Sequence, residues 1–274
     1  MVALRRKDDA AAAVRYQDYT TRLVADVDAA GQSAKSRAEL GGALREAGLL
    51  REAETELLAA ANLEPGNPDT VVGLARVHLA RKDIAAAGRT LEGAVARGLD
   101  SAPIYALLAE VYEQSGHPEN AIPAMRLAIQ RDPQSENYRF AYGLLLTNSY
   151  APAAAVIRLK EALDSFPTSP RLLFALGMAH FKQNKNDEAA EFFRRAAEID
   201  PKFAPAFAYL GMTRVALGSY GEGIAYYERA LQVDPQLAVV HYLIADTMLK
   251  QPDANHSLIE SHLQRGVEMD PTFA

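Results

Sequence analysis

AAEIDP (196–201) reads as the last turn of a helix that closes on Asp-Pro. The chain says nearly the same thing elsewhere: AANLEP (60–65), AIQRDP (128–133), ALDSFP (162–167), ALQVDP (230–235) and GVEMDP (266–271). Pro133, Pro167, Pro201 and Pro235 stand 34 residues apart, and Pro65 lies two such steps before Pro133. The phrase between them is AVARGL (94–99), with Leu99 in the proline position, and Pro271 falls 36 residues after Pro235. One fixed period of this length is the signature of stacked supersecondary units, each packing on its neighbours.

The bulk numbers agree with such an array. Of 274 residues, 49% are hydrophobic and 23% charged, an ordinary composition with ample apolar material. The net charge is -6 and Arg5-Arg6-Lys7 is the densest basic cluster, which argues against a nucleic-acid partner. With no cysteine, disulfides, thiol catalysis and thiolate metal sites are excluded. No apolar run approaches the roughly 18 residues of a membrane span, and MVALRRKDDA (1–10) has no hydrophobic signal segment. DPTFA (270–274) parallels DPKFAPA (200–206), where a new unit opens, so a fragment of a longer protein is the expectation. The cytoplasm is favoured as compartment, with the periplasm left open for a fragment.

Counted from residue 34, units begin near 34, 68, 102, 136, 170, 204 and 238. Each reads as two helices. The first has a core stripe at unit positions 4, 7, 8 and 11, seen in Leu173, Leu176, Gly177 and His180. After a polar turn, the second carries positions 20, 24 and 27, here Ala189, Phe193 and Ala196. Proline at position 32 stops it, lacking an N–H and disfavouring helix in the residue before it. Small residues recur at position 8 (Gly41, Ala75, Ala109, Gly143, Gly177, Gly211, Ala245), while position 24 supplies bulk from Leu57 to Tyr227.

This pattern resembles the tetratricopeptide repeat over residues 34–274, as seven units: 34–67, 68–101, 102–135, 136–169, 170–203, 204–237 and 238–274. The resemblance implies an all-α, right-handed α-solenoid, a superhelix of antiparallel helix pairs whose first helices line a concave face. Residues 1–33 depart from the template. From Asp8 to Ala30 they read as one amphipathic helix, with Tyr16, Tyr19, Leu23 and Val27 at helical spacing, expected to cap the first unit. The seventh unit carries two extra residues, assigned to the turn Gln251–His256. The sixth, with Gly218, Gly221, Gly223 and Arg214 on its core stripe, is expected to be the softest joint.

Catalytic and metal motifs are missing. His256 and His262 are six apart, out of phase for a two-histidine zinc motif. His78 and His180 fall on the core stripe, where a packed histidine is the simpler reading. GSYGEG (218–223) lacks the lysine and preceding strand of a phosphate loop and reads as an inter-helix turn. Serine, histidine and acidic residues form no nucleophile elbow, so no enzyme activity and no cofactor are expected.

What remains is a second stripe on each first helix, at positions 5, 9 and 12. It is polar or small in early units: Ala38, Gly42, Arg45, then Ala106, Glu110, Glu113. From the fourth unit it turns apolar: Phe140, Leu144, Thr147; Phe174, Met178, Phe181; Ala208, Met212, Val215; Tyr242, Asp246, Leu249, with Tyr209 alongside. An exposed apolar stripe marks a binding site, and Met and aromatics are enriched there. The competing reading is that positions 5 and 12 pack against neighbouring units as core. Asn137, Asn148, Arg171, Lys182 and Lys250 flank the stripe. Tetratricopeptide domains that grip acidic chaperone tails place Lys at position 5 and Asn at position 9. No unit here has that pair, and the asparagine ladder of the O-GlcNAc transferase repeats is also missing.

The expected function is therefore a non-enzymatic scaffold holding an apolar protein or peptide segment in the groove of units four to seven. The lining would be Phe140, Leu144, Arg171, Phe174, Met178, Phe181, Lys182, Tyr209, Met212, Tyr242 and Leu249. On this reading, truncating Phe174 or Phe181 removes binding and leaves the melting temperature almost unmoved. The alternatives are a docking arm of a larger glycosyl- or sulfotransferase, or a bacterial envelope export scaffold. End-to-end self-association through the last unit is a further expectation.

Overall fold

The computed structural model describes residues 33–149 and 151–270, together with Thr21. The expected cap over residues 1–33 thus lies almost wholly outside the described residues. The described chain is all-α and forms seven tandem helix pairs. The first helices are α1 (Ala34–Glu46), α3 (Pro68–Ala80), α5 (Ala102–Gln114), α7 (Glu136–Asn148), α9 (Pro170–Phe181), α11 (Ala204–Ala216) and α13 (Ala238–Leu249). The second helices are α2 (Leu50–Leu63), α4 (Ile84–Ala96), α6 (Pro118–Arg131), α8 (Pro152–Ser165), α10 (Asn186–Ile199), α12 (Tyr220–Val233) and α14 (His256–Met269). None is long and apolar enough to cross a membrane.

Local chemistry sets both ends of each pair. Ser33, Asn67, Ser135 and Ser169 cap first helices, each side-chain oxygen accepting from a backbone N–H of the opening turn. Second helices stop two residues before proline. The residue between, Glu64, Asp132, Phe166, Asp200 or Asp234, is extended at φ -126 to -138, as the proline ring requires. Where Leu99 replaces proline, glycine takes over. Gly98 adopts φ +88, its N–H and that of Leu99 bond back to Val95 and Ala94, and Leu99 packs on the core. The turns inside the pairs also keep the period: Gly48, Lys82, Gly116, Asn184 and Gly218 all have positive φ. The turn before α14 spans residues 250–255, longer than its counterparts, so the extra residues lie there.

The sequence period is uniform, yet the contacts divide the chain into two compact units, Met1–Gln134 and Ser135–Ala274. The boundary falls between the third and fourth helix pairs, where the second stripe changes from polar to apolar. In the first unit each helix packs on the next, and α1 and α3, and α3 and α5, also touch directly. In the second unit packing likewise runs helix to helix from α7 to α14, with α7 against α9.

In the first, fourth, fifth and sixth pairs position 8 packs directly against position 24. A Cβ on Gly177 would lie 2.6 Å from the Phe193 ring, and one on Gly211 would lie 2.5 Å from Tyr227 and 2.9 Å from the Gly223 carbonyl. Phe193 and Tyr227 are almost fully buried. Gly223 therefore has a packing reason: a Cβ there would meet Val215 at 2.5 Å. Arg214, half-buried beside it, places its Nε 3.3 Å from the Glu222 carboxylate.

Two adjacent glycines in α1 test this rule. A Cβ on Gly41 would sit 2.6 Å from Leu57 Cγ and 3.1 Å from the Ala53 carbonyl. Leu57 also lies close against Gly73, where a Cβ would sit 2.7 Å from its Cδ2. A Cβ on Gly42 meets nothing within 4 Å. Overpacking costs about 1–3 kcal/mol and the helix gains about 1 kcal/mol when glycine becomes alanine. Gly41→Ala is expected to lower stability by about 1–2 kcal/mol and Gly42→Ala to raise it by up to about 1 kcal/mol. Urea denaturation of the two variants checks the opposite signs.

Candidate functional site

The second unit brings three of the expected groove residues together, but as a packed aromatic cluster. Phe174 on α9 is 7% exposed. Its ring lies 5.5 Å from Phe193 on α10, 5.2 Å edge-on from Phe203 and 5.0 Å edge-on from Tyr209 on α11. Tyr209 also stands 5.3 Å from Phe193 and 6.3 Å from Phe181. Burial raises the Tyr209 phenol above its ordinary value. This corrects the expectation that Phe174 is surplus apolar surface: it is core, because the Phe203 and Tyr209 rings of the next pair close over it. Position 5 is a groove position only where the neighbouring unit leaves it open.

The rest of the stripe is more accessible. Phe140, Leu144, Met178, Phe181, Met212 and Tyr242 are half-buried, Leu249 is exposed by 56%, and Lys182 is exposed. Met178 and Phe181 rest on the aromatic cluster, and Met212 rests on the cluster around Val240 and Ile244. The flanking residues are organised as well. Arg171 donates to Asn137 Oδ1 at 2.5 Å, and its guanidinium stacks 4.2 Å above the Phe140 ring. These three expected residues form one corner between α7 and α9, where the guanidinium pairs with no carboxylate among the described residues. Lys250 instead is engaged by Asp246 at 2.6 Å.

The first unit shows what the same positions do without large side chains. Ala38, Gly42, Val72 and Gly73 leave a cavity of about 430 Å³. Lys35, Arg45, Arg76, Glu39, Asp69 and Asn67 supply its polar walls. Of the lining residues the second stripe contains Ala38, Gly42 and Arg45; that the small side chains open a cavity is visible only in three dimensions.

Histidines fall in two environments. His180 is buried, stacked 5.2 Å from Phe192, and neither ring nitrogen meets a hydrogen-bond partner among the described residues. Burial lowers its pKa, Lys185 and Lys160 push the same way, and Glu188 opposes them. His78 is half-buried and His256 exposed. Sequence spacing missed the contact that does form: His241 on α13 meets His262 on α14 with Nδ1···Nδ1 at 2.9 Å. The two are 21 residues apart, so no local motif signals them. Among the described residues, no three His, Cys, Asp or Glu side chains converge as metal ligands. GSYGEG forms the turn and first residues of α12, with Gly218 at φ +80.

Models of the tetratricopeptide repeat match residues 44–111, 102–135, 170–203 and 204–237, together more than half of the chain. A tetratricopeptide repeat protein from Parabacteroides merdae superposes with a TM-score of 0.68 at 18% identity, covering 86% of this chain and 100% of that one. A chain of the APC/C hetero-tetramer Cut9–Hcn1 superposes with a TM-score of 0.65 at 19% identity, covering 93% of this chain. This chain spans 50% of that one. At these identities the likeness is one of fold. No curated protein matches the chain in sequence.

Deleting the Phe174 ring empties a site closed on several sides. Phe174→Ala is expected to cost about 3 kcal/mol or more in stability. Phe181→Ala, at a half-buried position, is expected to cost clearly less. Thermal melts of the two variants side by side check the order.

Proposed function

Because the chain belongs to the tetratricopeptide repeat family, we propose that it is a non-enzymatic interaction scaffold. Its second unit would hold an apolar protein or peptide segment along α7, α9, α11 and α13. The observation that carries this reading is the set of apolar side chains left half-exposed once Phe174 and Tyr209 have packed together: Leu144, Met178, Phe181 and Met212. Methionine adapts to varied apolar partners, and a hydrophobic helix or extended segment suits such a lining. Arg171, held by Asn137 and Phe140, is placed to receive a carboxylate or backbone carbonyl of that segment.

A second reading places the partner in the first unit's cavity, favoured by the convergence of Lys35, Arg45 and Arg76 on its wall. It predicts a polar, salt-sensitive partner, in contrast to the apolar one above.

Affinity capture from the source organism separates the two. Wild type is compared with Met178→Ala/Met212→Ala and with Arg76→Glu, circular dichroism confirming that all are folded. Truncating a well-buried anchor costs about 2 kcal/mol, or about thirtyfold in affinity. The expected outcome is a protein held by wild type and by Arg76→Glu but weakened at least thirtyfold in the double variant. Loss confined to Arg76→Glu moves the site to the first unit; identical capture by all three sinks both.

A further inference from the structure

We propose that the His241–His262 pair is a proton-sensitive latch, holding α14 against α13 while neutral and releasing it when both imidazoles take up protons. His241 is 4% exposed and His262 9% exposed. Their ring centroids are 5.1 Å apart at 43°, and the Nδ1···Nδ1 separation is 2.9 Å. A hydrogen bond between two imidazole nitrogens needs one N–H and one lone pair, so at least one ring must be neutral. A first proton on the donor's far nitrogen leaves the bond intact. A second turns the acceptor into a donor, sets two N–H groups face to face and places two like charges in a buried seam.

Among the described residues, α14 packs mainly on α13. Beside the histidines the contact depends on Ile259, which is buried, and on Tyr242 lying against Gly266, where a Cβ would be 2.7 Å from the ring. The charged groups that act on the pair are Arg265 of α14 and Glu228 of α12. Burial is the larger influence and lowers both pKa values; Arg265 pushes both further down, and the neighbouring imidazole adds to this at His241. Glu228 favours the charged form of His262 alone.

The sign follows. Unfolded histidine titrates near 6.5 and the folded pair below it. The seam has its full stability above about 6.5, and loses it as pH falls toward the folded values, since the open state binds protons first. Each histidine shifts the opening equilibrium by up to about tenfold per pH unit, and the pair by up to about a hundredfold. His180 titrates in the same sense. It sits in α9, so a global measurement would confuse the two.

The test is therefore local. Amide hydrogen exchange is measured across the full chain at about pH 7.5 and about pH 5.5, corrected for intrinsic rates, with α5 and α6, which contain no histidine, as reference. Histidine ring NMR is followed over the same range. The expected result is that α14 loses roughly tenfold or more protection relative to α5 and α6. That excess should shrink in His262→Gln and persist in His180→Gln. The two ring titrations should be coupled and displaced below 6.5 in wild type, a readout that needs no variant to fold. Equal loss of protection in α14 and in α5–α6, or two independent titrations at ordinary values, overturns the latch.

Discussion

The first six helix pairs depend on one size constraint: the first helix must be small where the second is bulky. The small residue at position 8 lets the two backbones approach, and the large residue at position 24 fills the space that results. In the second pair alanine suffices, Ala75 sharing a core cluster with Leu91. Where the bulky partner is aromatic, as Phe193 or Tyr227, even a Cβ would collide, and glycine is present instead. A glycine in mid-helix costs about 1 kcal/mol in propensity, so its recurrence at this register marks a contact worth more than that loss. The constraint is internal to each pair, which is why it can repeat down the chain with little change.

What the pairs do with the remaining surface differs between the two units. Positions 5, 9 and 12 are free of the internal constraint, so the sequence can vary there. In the first unit Ala38 and Gly42 leave a cavity rimmed by charges. In the second unit Phe174, at position 5, packs instead against aromatic side chains from outside the stripe. Phe174, Tyr209 and Phe203 satisfy each other edge to face, a geometry that aromatic quadrupoles favour. Adding hydrophobic residues to a groove therefore does not simply make it stickier. Some of them become core, and the surface left for the proposed partner is what the cluster leaves uncovered, at Leu144, Met178, Phe181 and Met212.

This explains how far the sequence could be read. Helix starts, the Asp-Pro stops and the small-to-large register follow from local rules that a 34-residue period displays repeatedly, so each unit checks the others. The glycine stop at Gly98 was less legible, because Leu99 hides it in the proline column. The groove was legible as a stripe but not as a surface. Whether Phe174 faces solvent depends on Phe203 and Tyr209, residues of the junction and the next pair, and a single-helix pattern does not contain that information. The division into two units is likewise a matter of which neighbours touch, and only the change in stripe composition at the fourth pair hints at it.

The seventh pair shows the same constraint turned around. Here the large residue comes from the first helix, Tyr242, and the small one from the second, Gly266. Leu263, in the bulky column once the two extra residues are counted, is 38% exposed. With the usual plug turned outward, the seam is filled by His241, at the core-stripe position 4, and by His262, the residue before Leu263, both buried. Two imidazoles can close a seam as well as two aliphatic side chains, but only in one protonation state. Relaxing the register at the last pair thus exchanges a contact indifferent to pH for one that responds to it.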